Sequence, residues 1–169
     1  RADERHIRAD DVREIAALLR GPRQGGVEYN IEGAPSAEWL SLVHEVRPDQ
    51  ATLVPVRPGE ITSEAGWRED TDADWISKLI AELKADGIRV SVFCDANFAS
   101  VEWAKRMGAD RVELYTEPFA AAFAQGVAQG QALFEQHCAT AEHAHALLLG
   151  VNAGHDLDLD NLVLYRRLP

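Results

Sequence analysis

Residues 81–95 (AELKADGIRVSVFCD) and residues 102–116 (EWAKRMGADRVELYT) repeat one design and decide the fold class. Each segment contains the end of an amphipathic helix, a glycine suited to a left-handed helix terminus, and a β-branched strand that ends on a polar residue. The two glycines, Gly87 and Gly108, lie 21 residues apart (108 − 87), the length of one compact strand-plus-helix unit. The two segments therefore predict consecutive units of alternating helix and strand.

The same alternation extends outward over the whole chain. Apolar spacing predicts further helices over residues 10–20, 37–47, 74–86, 119–146 and 161–167, and further strands over residues 27–33, 51–56 and 147–153. A polar, glycine-containing loop is predicted after the strand at 51–56. Strict alternation implies parallel strands joined by right-handed crossovers, so a doubly wound sheet and a (β/α)8 TIM barrel both fit.

Two features favour the TIM barrel. No G-x-G-x-x-G dinucleotide fingerprint follows any predicted strand. In addition, polar residues gather at the carboxyl ends of the strands, which form the active-site face of a barrel. These residues are Asn30 and Glu32, Asp95, Glu113, and Asn152 with His155. Because a complete barrel needs about 250 residues, we expect residues 1–169 to form a single domain that is an internal portion of a TIM barrel.

Composition and charge exclude several classes of protein. The 169 residues include 17 Lys and Arg against 28 Asp and Glu, giving a net charge of −11, which argues against nucleic acid as a partner. No apolar run is long enough to span a membrane, and the first residues lack the pattern of a signal peptide, so neither a membrane span nor a secretion signal is expected. The 2 cysteines form no disulfide framework or metal motif, so a cytoplasmic location is expected.

Three residues at strand ends are candidates for acid–base catalysis. Glu32 is interpreted as a general base in an apolar barrel interior, with Asn30 orienting it by a hydrogen bond. Glu113 occupies the same place on a later strand, so the two carboxylates would converge on one site. His155 follows a glycine-containing turn and is a candidate acid. The open alternatives are a solvated or helix-capping carboxylate at 32, a structural ion-pair partner at 113 and an inert loop histidine.

Two segments have the composition of phosphate-binding sites. Arg1, Arg5 and His6 precede the first predicted helix, where cations near a helix N-terminus suit a phosphate. The loop containing Thr62 and Gly66 offers further donors or a moving lid. Surface charges and an ordinary polar loop are the respective alternatives.

Three other patterns are rejected. The segment DLDLDN begins like a calcium loop but lacks the required glycine at its sixth position and glutamate at its twelfth. The His and Cys residues over 137–145 match no zinc-ligand spacing. Cys94 lies in an apolar strand and is expected to be a buried core thiol.

The order of several motifs along the chain resembles one enzyme family. These motifs are RADERHI (1–7), NIEG (30–33), LVP (53–55) followed by EITSEAGW (60–67), VELYT (112–116) and VNAGHDL (151–157). They resemble the pyridoxine 5′-phosphate synthases of the deoxyxylulose-phosphate-dependent route to pyridoxal phosphate. Members of this family are (β/α)8 barrels, and this chain matches them from just after the second strand to the helix after the seventh.

The resemblance implies a transferase-type, ring-closing condensation. It joins 3-amino-2-oxopropyl phosphate to 1-deoxy-D-xylulose 5-phosphate, giving pyridoxine 5′-phosphate with release of phosphate and water. It assigns Glu32 as the general base, His155 as the proton donor and Glu113 as the carboxylate that stabilises the transition state. The residues that it assigns to substrate binding are Arg1, His6, Thr62 and Asp156, the last through its backbone.

The resemblance also carries expectations about partners and completeness. It implies a homo-octamer acting on small phosphorylated substrates. Nothing in the sequence suggests a metal or an organic cofactor, since amine, imine and acid–base groups suffice for this chemistry. A further histidine at the end of the second strand, and residues of the first and eighth strands, have no counterpart here, so the 169 residues alone are expected to be inactive. The alternatives are another phosphate-substrate aldolase or isomerase on a TIM barrel, and a non-catalytic truncated barrel that only binds phosphate ligands or partners.

Overall fold

Five parallel strands form one sheet, and their order in the sheet follows their order in the chain. The structure is a computed structural model that describes residues 6–21, 26–57, 59–60 and 62–169. Each strand pairs in parallel with the next one along the chain. The strands are β1 (Asn30–Gly33), β2 (Gln50–Leu53), β3 (Arg89–Cys94), β4 (Arg111–Tyr115) and β5 (Gly150–Gly154).

Helices connect the strands, and side-chain caps fix where several of them begin. Ser36, Asp72 and Asn97 each accept a hydrogen bond from a backbone N–H in the first turn of the helix that follows, at 2.9–3.2 Å. In the described part of the chain, no helix has both the length and the apolar character needed to cross a membrane. The helices are α1 (Ala9–Leu19), α2 (Ala37–Val46), α3 (Ala73–Ala85), α4 (Phe98–Met107), α5 (Glu117–Gln125), α6 (Val127–Ala146) and α7 (Leu162–Tyr165).

The repeated helix–glycine–strand design is confirmed. Gly87 and Gly108 have backbone φ angles of 79° and 93°, the left-handed conformation that favours glycine at the end of a helix. β3 begins at Arg89 and β4 at Arg111, two and three residues after these glycines. The short turns bring each strand back alongside its predecessor.

The sequential strand order distinguishes the two predicted architectures. A doubly wound sheet reverses its strand order at a switch point and carries helices on both faces. Here the order never reverses, so right-handed crossovers place the connecting helices on one face, as in a TIM barrel. Among the described residues β5 does not pair with β1, so the strands form an open, partial barrel.

The outer face of the sheet is the main core. Val43 of α2, Ile80 of α3 and Val101 of α4 pack in the same buried cluster as alternate strand residues. Side chains alternate between the two faces of a strand. Each strand therefore presents one apolar face, and the apolar sides of the helices are buried against it. The strand residues in this cluster are Ile31, Ala51, Leu53, Val90, Val92, Cys94, Val112 and Leu114.

The inner face of the sheet is polar near its amino-terminal edge. Asn30 accepts hydrogen bonds from Gln50 Nε2 at 3.2 Å and Thr52 Oγ1 at 2.9 Å, and Arg89 Nε donates to Gln50 Oε1 at 2.8 Å. The predicted role of Asn30 in orienting Glu32 is therefore wrong. The amide instead links β1 to β2, since Gln50 lies level with Asn30 and Thr52 follows on the same face of β2.

Several predicted boundaries are also wrong. The single helix predicted over residues 119–146 is two helices, α5 and α6, divided at Gly126. Gly126 has a φ of 154°, a conformation that residues with a Cβ rarely adopt, so the helix ends at this glycine and a new one begins. The last strand begins at Gly150 instead of 147, because α6 extends to Ala146 and a turn follows.

Candidate active site

The predicted acid–base residues meet at the carboxyl ends of the strands. A pocket of about 290 Å³ opens on the inner face there. Its lining combines an apolar wall with a few polar groups, the usual composition of a small-molecule site. The lining residues include His6, Tyr29, Glu32, Val54, Thr62, Phe93 and His155.

Glu32 reaches this pocket from β1. Its neighbour Ile31 packs into the outer core, so the alternation of the strand turns the Glu32 side chain inward. The carboxyl group remains accessible to solvent, but the surrounding protein atoms raise its pKa above the usual range, against the opposing effect of His155 and His6. No described residue donates a hydrogen bond to it, so the carboxylate is free to accept a proton from a ligand.

Glu113 reaches the same interior from β4, where it lies level with Phe93 of β3 and Asn152 of β5. Burial raises its pKa to about 7, and the charge of Glu32 contributes to this rise. The second effect indicates that the two carboxyl groups lie near one another in the interior. With its pKa near 7, Glu113 can exchange a proton near neutral pH.

His155 follows β5 and projects toward the pocket. Its Nδ1 donates to Asp156 Oδ2 at 2.7 Å, and its Nε2 lies 3.0 Å from Thr62 Oγ1. The imidazole packs edge-on against Tyr115, with ring centroids 5.2 Å apart, and also contacts Phe93. The Asp156 carboxylate stabilises a proton on Nδ1, and this leaves Nε2 as the nitrogen that faces the pocket.

The polar loop after β2 is anchored at three points and brings Thr62 into the site. Ser63 Oγ donates to the Pro55 carbonyl, Gly66 N donates to Asp95 Oδ1, and Trp67 Nε1 donates to the Leu53 carbonyl, all at 2.8 Å. A Cβ on Gly66 would lie 2.5 Å from the backbone N of Asp95, so only glycine permits this approach. Asp95, one of the polar strand ends, therefore serves to hold the loop.

The predicted site residues are brought together to different degrees. Glu32, Glu113, His155 and Thr62 surround one interior, and His6 lines the same pocket. Asp156 contacts His155 directly. Arg1 lies outside the described residues.

Some residues that shape the site are missing from the sequence-based prediction. Phe93 and Tyr115 form the apolar wall behind His155, with ring centroids 5.4 Å apart. The alternation of side chains along β3 and β4 is the signal in the sequence that could have placed Phe93 and Tyr115 on the same face as Glu113. Thr116 and Asn161 contact the backbone of the loop that carries His155, and no pattern in the sequence marks that contact.

A parallel strand–helix sheet with two carboxyl groups and a histidine near the carboxyl ends of its strands is the arrangement of a TIM-barrel type of acid–base enzyme. A sequence model of the family described as "Pyridoxal phosphate biosynthesis protein PdxJ" matches residues 1–169. The chain belongs to this family. The family and the enzyme class predicted from the sequence are thereby confirmed.

Individual relatives agree with this assignment. The chain is 44% identical to pyridoxine 5′-phosphate synthase of Porphyromonas gingivalis over 170 residues, covering 100% of this chain and 68% of the relative. It is 46% identical to the enzyme of the same name from Cytophaga hutchinsonii, with the same coverage of both chains. Each of these relatives is longer than this chain.

A solved structure supports the fold. The tetrameric deoxyribose phosphate aldolase from Aeropyrum pernix superposes with a TM-score of 0.60 at 15% identity, covering 95% of this chain and 67% of that one. At this identity the similarity is one of fold alone, and it agrees with the parallel α/β sheet.

Proposed function

We propose that this site closes the ring of pyridoxine 5′-phosphate by condensing 3-amino-2-oxopropyl phosphate with 1-deoxy-D-xylulose 5-phosphate, with release of phosphate and water. The observation that carries the proposal is the convergence of Glu32, Glu113 and His155 on one interior. Imine formation, loss of phosphate, addition of water and aromatisation each move protons, so the reaction needs several acid–base groups around one pocket.

Glu32 acts as the general base. Its carboxylate accepts no hydrogen bond from a described residue and faces the pocket, so it is available to remove a proton from a bound imine or ketone. The crowding that raises its pKa strengthens it as a base, because a base works best when its pKa approaches the working pH.

Glu113 and His155 have different roles in the reaction. With its pKa near 7, Glu113 holds a proton when Glu32 is ionised and stabilises negative charge that develops on the substrate. His155 donates a proton from Nε2 to a departing oxygen, while Asp156 compensates the positive charge of the imidazolium.

His6, Thr62, Arg1 and the backbone of Asp156 hold the phosphorylated substrates. Support for this comes from the position of His6 and Thr62 in the pocket lining. Cationic side chains and backbone N–H groups suit phosphate despite the net charge of −11.

We also propose that residues 1–169 act as one domain, that the protein assembles as a homo-octamer and that it works in the cytoplasm. One continuous sheet supports the first proposal. Two free thiols, Cys94 and Cys138, are compatible with a reducing compartment. Sedimentation of the purified protein tests the octamer, and cell fractionation tests the location.

The test of the reaction uses the protein expressed at its natural length. Incubation with both substrates should give pyridoxine 5′-phosphate, detected by its fluorescence after chromatography. Glu32→Gln should lower turnover by about 10²–10⁴-fold while substrate binding persists, since a general base contributes that much. Glu38→Gln changes an exposed glutamate on α2 and should leave turnover unchanged. Absence of product from the wild-type protein, or wild-type turnover in Glu32→Gln, would overturn the proposal.

A further inference from the structure

The backbone that carries His155 adopts an unusual conformation. His155 and Asp156 have φ angles of 73° and 59°, so two consecutive residues with a Cβ lie in the left-handed region. This region is uncommon for residues with a Cβ, although His and Asp enter it more readily than most, and two such residues in succession point to support from the surrounding structure. The preceding Gly154, which belongs to β5, does not have a positive φ.

Two buried side chains hold the carbonyl groups of these same two residues. Thr116 Oγ1 donates a hydrogen bond to the His155 carbonyl, and Asn161 Nδ2 donates to the Asp156 carbonyl at 2.9 Å. Thr116 is 0% exposed and Asn161 is 3% exposed. The two donors come from different parts of the chain, since Thr116 follows β4 and Asn161 precedes α7.

Asn161 is itself fixed in place. Its backbone N donates to Asp158 Oδ1, and its Oδ1 accepts from the backbone N of Asp158, both at 2.9 Å. The helix that follows is tied to α6, because Tyr165 OH lies 2.7 Å from His137 Nδ1 in an apolar cluster. Burial lowers the pKa of His137 to about 4, so the imidazole that bonds to the phenol is neutral.

The contacts of the His155 imidazole do not hold the backbone in this way. Asp156 is the neighbouring residue and turns with the same backbone, while Thr62 lies on a loop anchored at other residues. Loss of either carbonyl contact would leave a polar group unpaired next to buried residues and would favour an ordinary φ. The imidazole would then turn away from the pocket.

We propose that Thr116 and Asn161 are positioning residues that hold the His155–Asp156 turn in its left-handed conformation and so direct the His155 imidazole into the pocket. The consequence for catalysis rests on the proposed role of His155. The consequence for the geometry of His155 does not, and the two are measured separately.

The test measures the geometry of His155 in Thr116→Val and Asn161→Ala, with each fold checked by circular dichroism. Nitrogen-15 NMR at fixed pH reports the state of Nδ1 and Nε2, and modification by diethylpyrocarbonate with mass spectrometry reports access to the ring. Both variants should shift the His155 nitrogen signals and increase its modification rate. Thr116→Ser retains the hydroxyl group and should restore the wild-type signals.

Matched controls come from the same chain. Thr140 is 1% exposed and donates through Oγ1 to the Gln136 carbonyl at 2.9 Å, in the middle of α6. Thr140→Val therefore removes the same kind of bond from a buried threonine away from the site and should leave His155 unchanged. Wild-type His155 signals in Asn161→Ala, or equal shifts in Thr140→Val and Thr116→Val, would overturn the proposal even if Thr116→Val does not fold.

Kinetics at natural length then separates this proposal from the proposed function. Thr116→Val and Asn161→Ala should lower kcat on the order of tenfold to a hundredfold with a smaller change in KM, because a displaced catalytic group costs that much. Wild-type turnover in His155→Gln would refute the role of His155 while leaving the positioning measured by NMR intact. Altered NMR signals without any loss of kcat would show that the turn is held but that its position does not serve the reaction.

Discussion

The two faces of the sheet differ in what their side chains do. The outer face is formed by fully buried aliphatic residues, such as Leu53, Val92 and Leu114, against the helices. The inner face carries amides, hydroxyls and charged groups, and the two carboxyl groups of the site. Because successive residues of one strand point to opposite faces, a residue that stabilises the core lies next to a residue that faces the site.

The neighbours Glu113 and Leu114 show this separation within β4. Leu114 is 0% exposed in the outer core, and Glu113 faces the interior with its pKa raised to about 7. The outer residue stabilises the fold by removing apolar surface from water. The inner residue has a partly desolvated carboxyl group, which costs stability and gives the site a group that exchanges protons near neutral pH.

The largest predicted effect comes from a substitution on the inner face of the sheet. His155→Gln removes the proposed proton donor and should lower turnover by about 10²–10⁴-fold, the usual contribution of a general acid. The change should have little effect on thermal stability, because the imidazole packs at the edge of the pocket and is not part of the main core. His145→Gln at an exposed position on α6 is the matched control. Equal turnover in the two variants would remove His155 from the mechanism.

The second largest effect comes from a substitution on the outer face of the sheet. Leu114→Ala deletes a fully buried side chain and should destabilise the protein by about 2–5 kcal/mol, through lost burial and the cavity that remains. Denaturant unfolding followed by circular dichroism measures this loss. A change below about 1 kcal/mol would show that the outer face is not the core of the fold.

A substitution one residue earlier should have the opposite sign. The folded pKa of Glu113, about 7, exceeds its ordinary value of 4.5, so its penalty to stability is absent below pH 4.5 and complete above pH 7. Glu113→Gln should therefore stabilise the protein by about 1–3 kcal/mol at pH 8 and by little at pH 4. Thermal unfolding at the two pH values checks this difference. If Glu113→Gln lowers stability at pH 8, burial of the Glu113 carboxylate does not cost stability as predicted.

The smallest effect lies away from both faces. Leu148 is 85% exposed and has a φ of 59° in the turn between α6 and β5. Leu148→Gly should stabilise the protein by about 1 kcal/mol, because glycine adopts this conformation without strain. Leu159→Gly is the control, since Leu159 is 87% exposed and lacks a positive φ. Equal effects of the two changes in thermal unfolding would exclude the conformational cause.

Much of the difference between the two faces of the sheet was predictable from the sequence. The period of two in the strands and the glycines at 87 and 108 predicted the parallel units, and the polar residues at strand ends predicted the position of the site. Local signals sufficed here because each unit repeats the same contacts between a strand and the helix before it.

Other features depend on contacts between distant parts of the chain. Asn30 pairs with β2 and not with Glu32. The contacts of Thr116 and Asn161 with the backbone around His155 join residues up to 39 positions apart. No spacing rule in a single sequence encodes such contacts, because they follow from how the strands and loops pack.

The proposed site requires Glu32 and Glu113 to lie close together on the inner side of the sheet, so that the charge of Glu32 raises the pKa of Glu113. Carbon-13 NMR titration of the Glu113 carboxyl group, in the wild type and in Glu32→Gln, tests this claim most directly. We predict a pKa near 7 in the wild type and a lower pKa in Glu32→Gln, because the negative charge opposite Glu113 is removed. An ordinary pKa of 4.5 in the wild type, or a raised pKa that does not respond to Glu32→Gln, would contradict the claim.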